Sequence, residues 1–97
     1  MATLSEDEIR RRLTSLEGWE LVDGTLRKQF QLASFPEAIL FVNAVAYLAE
    51  LLDHHPDVEI HYRRVKLTLW THSEGGVTEK DIHAAQLIEQ RLGKAMR

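Results

Sequence analysis

The chain has 97 residues, 44% of them hydrophobic and 28% charged, with a net charge of -3 and no cysteine. That length fits one domain, residues 1–97, around a single core. The missing cysteines exclude a disulfide framework, a thiolate nucleophile and a Cys-ligated zinc site, and the acidic balance argues against a nucleic-acid partner, which needs clustered positive charge.

The first eight residues are acidic and have no apolar leader core. Ser5-Glu6-Asp7-Glu8 has the S-x-x-E capping-box form and opens a helix with Ile9, Leu13 and Leu16 as its apolar stripe. Glu17-Gly18 is its expected stop. Trp19-Glu20-Leu21-Val22 reads as a short strand, and Asp23-Gly24 as a two-residue hairpin turn. The return strand spans 25–32, with Leu26, Lys28, Phe30 and Leu32 on one face and Arg27, Gln29 and Gln31 on the other. That alternation predicts a sheet with one covered and one wet face.

Ser34-Phe35-Pro36-Glu37 opens a second helix over 35–53. It is apolar nearly all round, more than a small monomer can cover, so it is the expected self-association surface as well as core. Its apolar run, 38–52, is broken by Asn43 and Glu50 and reads as too short for a membrane span. A soluble cytoplasmic protein without a membrane partner is the expectation. Asn43, Tyr47, Glu50 and His54 form one polar stripe, either a solvent face or a pocket wall ending at the histidine pair.

A third strand over 57–62 places Val58, Ile60 and Tyr62 on one face, and Arg63-Arg64 marks a turn. The fourth strand, 65–72, alternates Val65, Leu67, Leu69 and Thr71 with Lys66, Thr68, Trp70 and His72. A Ser73-Glu74-Gly75-Gly76 loop follows, and Thr78-Glu79-Lys80-Asp81 opens a last helix on Ile82, Ala85, Ile88 and Leu92. The fold class is α+β: a four-stranded antiparallel sheet with three helices on one face, in the order α-β-β-α-β-β-α.

His54, His55 and His72 are the residues that carry chemistry. Imidazole titrates near neutrality and can give or take a proton. Helix-end histidines also serve as ordinary caps or solvated groups, and His61 and His83 read as half-exposed polar positions. A three-histidine zinc site with Glu50 as base is an alternative, but no H-x-H or H-E-x-x-H spacing supports it.

Glu50-x-x-x-His54-His55-Pro56, then Tyr62-x-x-Val65-x-Leu67-x-Leu69-x-Thr71-His72, then Gly76-Val77-Thr78-x-x-Asp81, resembles the pterin-4a-carbinolamine dehydratase family, also known as a transcription-factor dimerisation cofactor. The match is close over 50–81 and looser through Gly18-Trp19, Phe30, Phe35 and Phe41. The resemblance implies the same α+β fold and dimers or tetramers. It implies loss of water from 4a-hydroxytetrahydropterin to give quinonoid dihydropterin, which recycles the cofactor of aromatic amino acid hydroxylases. No metal or organic cofactor is implied. His54, His55 and His72 would carry the acid–base work; Asp53, Thr71 and Ser73 would lie at pterin-binding positions, and Glu50 would support the histidines. Arg63 and Trp70 depart from the family pattern; Trp70, where family members often have a small residue, adjoins the site and would narrow it or stack on the pterin. The alternative is a protein-binding, coactivator-like module with vestigial activity.

Overall fold

The computed structural model describes residues 3–93; Met1 and Ala2, part of the acidic N-terminal stretch, lie outside the described residues. Helix α1 (Glu6–Leu13) starts at Ser5, whose hydroxyl accepts from the Glu8 N–H at 3.1 Å. It ends about a turn before the expected stop at Gly18. The Thr14 and Ser15 hydroxyls donate to the Arg11 and Arg12 carbonyls at 2.7 and 3.2 Å, which offers the backbone a local alternative to the helix. Leu16 still reaches the core. Gly18 is needed at its φ of +87°, and any Cβ there would sit 2.8 Å from the Lys28 side chain.

Strands β1 (Glu20–Val22) and β2 (Thr25–Gln31) turn at Asp23-Gly24, both with positive φ as a type I′ turn requires. Helix α2 (Phe35–Leu52) is capped by the Ser34 hydroxyl, which accepts from the Glu37 N–H at 3.2 Å. Strands β3 (Asp57–His61) and β4 (Arg64–Leu69) form the second hairpin, and α3 (Glu79–Leu92) is the last element among the described residues. The sheet is antiparallel throughout, in the order β1-β2-β4-β3. Leu26 and Phe30 of β2 and Val65, Leu67 and Leu69 of β4 meet Ala38, Phe41 and Val45 of α2 and Ile82, Ala85 and Ile88 of α3 in one core. Lys28 shares this inner face without leaving a bare charge: its Nζ donates to Glu89 at 2.8 Å and to the Glu17 carbonyl at 2.9 Å.

Two boundaries differ from the sequence reading. The second turn is Tyr62-Arg63, set by His61 pairing with Arg64, so Arg64 belongs to β4. Tyr62 adopts a φ of +58°, a conformation no local pattern signals for tyrosine. Strand β4 stops at Leu69 because its pairing runs out there: Leu69 is the last partner of β2 and Thr68 the last of β3. Thr71 makes only an isolated bridge to Gly76.

The polar stripe expected along α2 is not a pocket wall. Asn43, Tyr47 and Glu50 are exposed, while the chain reverses after Leu52 and carries His54 inward. The length argument against a membrane span also needs correcting. As folded, α2 has 18 residues and is long and apolar enough to cross a bilayer by length and composition alone. Its Ala38, Phe41, Val45 and Ala49 line is instead buried within this domain. Leu40, Tyr47 and Leu51, on other sides of the helix, are 60%, 79% and 74% exposed.

Candidate active site

The site forms where α2 ends, β4 ends and α3 begins. Asp53 takes the left-handed conformation (φ 51°), which lets the His54 N–H reach back to the Ala49 carbonyl at 3.1 Å and the Asp53 N–H to Glu50 at 3.2 Å. This is the Schellman arrangement, with aspartate where glycine is commoner. It ends the helix and sends the next two side chains in different directions. Pro56 then keeps His55 out of the helical region.

His54 turns inward. Its side chain is 11% exposed, and Nε2 lies 2.5 Å from Oδ1 of Asp81, which is fully buried. The other Asp81 oxygen accepts from the Thr71 hydroxyl at 2.8 Å and from the Thr78 N–H at 2.9 Å. Thr71 and Thr78 share a further hydroxyl contact at 2.8 Å, and the Thr78 oxygen accepts from the Lys80 N–H at 3.2 Å. One direction satisfies every group: Lys80 N–H to Thr78, Thr78 O–H to Thr71, Thr71 O–H to Asp81. The His54 ring is thus held through Nε2 by a carboxylate that is itself fixed by Thr71 and Thr78.

His55 turns outward. Its side chain is 54% exposed, with Nε2 2.6 Å from Oε2 of Glu50, itself 75% exposed. His72 follows the buried Thr71, and its ring lies 3.9 Å from that of Trp70. Asp53, His54, His55, Trp70, Thr71, His72, Ser73 and Lys80 line one cleft of about 330 Å³. All three candidate histidines therefore face one space. Glu50 is not on its wall and meets it only through His55. Among the described residues, no three His, Asp or Glu side chains are arranged to hold a metal ion.

Two residues escaped the sequence reading. Lys80 lines the cleft from the first turn of α3. Asp81 was legible as a capping-box residue, a role it fills, and as the last position of the family motif; its contact with His54, 27 positions away, has no local signal. Beside them, Arg12 grips Glu79 with two bonds of 2.7 and 2.8 Å. The Arg12 hydrogen bonds hold the Glu79 carboxyl below the usual range and raise the guanidinium in turn. Two open grooves beside α1 and β1, of about 430 and 440 Å³, carry no imidazole on their walls.

A family profile described as pterin 4 alpha carbinolamine dehydratase matches residues 2–91. A Roseiflexus protein named for pterin-4-alpha-carbinolamine dehydratase is 52% identical over 91 residues, spanning 93% of this chain and 98% of its own. A Sulfolobus acidocaldarius protein of the same name is 47% identical over 87 residues, spanning 90% and 96%. The crystal structure of a transcriptional coactivator/pterin dehydratase from Brucella melitensis matches with a TM-score of 0.85 at 41% identity, over 91% of this chain and 96% of that one.

Proposed function

Because the chain belongs to the pterin 4 alpha carbinolamine dehydratase family, we propose that it is a hydro-lyase that removes water from a 4a-hydroxytetrahydropterin in the cleft of His54, His55 and His72. The observation that carries this reading is the meeting of three imidazoles on one cleft, one of them fixed by a buried carboxylate. The cleft volume of about 330 Å³ suits a bicyclic pterin.

The reaction needs two proton movements. A base takes the proton from the ring nitrogen beside the carbinol carbon, and the released electron pair forms the C=N bond. The C–O bond breaks, and an acid protonates the departing hydroxyl, which leaves as water. Imidazoles perform either task near neutral pH, each typically worth about 10²–10⁴-fold. Asp81 orients His54, and Glu50 orients His55. Asp53, Ser73 and Thr71 line the pterin subsite; the Thr71 hydroxyl is committed to Asp81, so Thr71 serves as wall and support. The test is stopped-flow absorbance on a freshly generated 4a-hydroxytetrahydropterin. The protein is expected to outpace spontaneous dehydration, and His72→Ala to lose most of the gain while keeping its fold. No gain over the spontaneous rate overturns the reading.

The exposed Leu40, Tyr47 and Leu51 support a second part of the proposal, self-association through α2. Sedimentation equilibrium should give a dimer or tetramer that Leu51→Glu weakens. A monomeric parent protein that captures a different partner through the same face would favour the coactivator-like reading.

A further inference from the structure

Two histidines in the cleft are held by carboxylates and the third by an aromatic ring. His54 has Asp81 and His55 has Glu50, both through ring-nitrogen contacts. For His72, the ring contact is the indole of Trp70, with centroids 3.9 Å apart and planes 31° from parallel. Backbone geometry brings the two together. Trp70 and His72 flank Thr71, which is fixed twice: its N–H donates to the Gly76 carbonyl at 2.8 Å and its hydroxyl to Asp81 at 2.8 Å. With Thr71 facing the core, the residues on either side face the cleft together. Beyond Leu69 the ladders to β2 and β3 have ended, leaving the single Thr71–Gly76 bridge, and the next residues turn back at once, with the Glu74 and Gly75 N–H groups donating to the Thr71 carbonyl at 3.0 and 2.9 Å.

We infer that Trp70 is a positioning residue for His72: its indole is the backstop that holds this imidazole in the cleft, rather than a platform for the substrate. The inference rests on His72 acting in the proposed dehydration. The two rings are tilted by 31° and in close contact at 3.9 Å, so each restrains the other. The indole face turned towards His72 is already covered, so an incoming pterin cannot stack there without displacing the imidazole. A side chain that sets the reacting geometry acts on turnover, whereas one that binds the substrate acts on its affinity.

Three variants and two readouts decide it. In proton NMR, the His72 ring resonances of the parent protein should lie upfield through the ring current of the stacked indole. Trp70→Leu should abolish that shift and lower kcat about tenfold or more with little change in KM. Trp70→Phe, which keeps an aromatic face, should restore part of both, and a thermal melt confirms that the variants are folded. An unshifted His72 in the parent, or a raised KM at constant kcat in Trp70→Leu, overturns the inference. Loss of activity in His72→Ala with full activity in Trp70→Leu overturns it alone, leaving the proposed reaction intact. Full activity in His72→Ala overturns the reading on which it rests.

Discussion

His54 and His55 are adjacent in the chain and opposite in setting. One lies against a fully buried carboxylate at 2.5 Å, the other against a largely exposed one at 2.6 Å. Nearly equal distances do not mean equal energies. In the poorly solvated setting of Asp81, removing one member strands a buried acceptor. In water, the Glu50–His55 contact is screened and must hold two mobile side chains in place. The left-handed turn at Asp53 creates the difference. It gives the cleft one imidazole held against a buried carboxylate and one with access to solvent.

The contrast breaks most completely at Asp81. Asp81→Ala removes the partner of His54, the acceptor of Thr71 and one half of the α3 capping box together. Urea denaturation should show a loss of about 3 kcal/mol or more, and dehydration should fall with it. A loss below about 1 kcal/mol would mean that the buried network contributes no more than a surface pair.

Exchanging the two histidines in turn sharpens the comparison. His54→Ala should destabilise by about 2 kcal/mol because Asp81 loses a partner, while His55→Ala should stay within about 0.5 kcal/mol of the parent. Both should lower the dehydration rate by about 10²-fold or more. Equal melting curves for the two variants would erase the distinction. A smaller effect is expected at Glu50: Glu50→Gln keeps the side chain's shape and removes its charge, so the rate should drop by no more than about fivefold.

The smallest effect tests whether a surface tie supports the buried one. Arg12 lowers the Glu79 carboxyl through its hydrogen bonds, on the turn that also carries Asp81. A carboxyl lowered in the folded state contributes stability that is complete above its unfolded value of about 4.3 and is lost as pH falls through the lower folded value. Chemical denaturation from pH 6 to pH 3 should therefore show a steeper loss in the parent than in Arg12→Ala. The pair is partly exposed, so the difference should stay under about 1 kcal/mol.

The sequence announced what local rules govern. Three S/T-x-x-E/D starts became three capped helices, Asp23-Gly24 became the first turn, and the alternation of Val65, Leu67 and Leu69 placed all three in the core. The histidine pair was recognisable as a helix end. What escaped was decided by contacts across the fold. No pattern in β4 says where its neighbours stop, and Tyr62 takes a turn conformation usually left to smaller residues. The inward turn of His54 depends on a carboxylate in another element. The polar stripe on α2 failed as a wall for the same reason: periodicity assigns faces only while the helix lasts, and His54 lies beyond its end.

Asp81 completes the capping box of α3 and anchors His54 with the same carboxylate. Fraying of the start of α3 and loss of the fixed His54 are therefore expected to occur together. A chain with the start of α3 frayed has no fixed His54, however well its sheet is formed. The Thr78 amide, which donates to that carboxylate at 2.9 Å, is the natural hydrogen-exchange reporter. Its protection should return during refolding at the rate at which activity returns, and no faster.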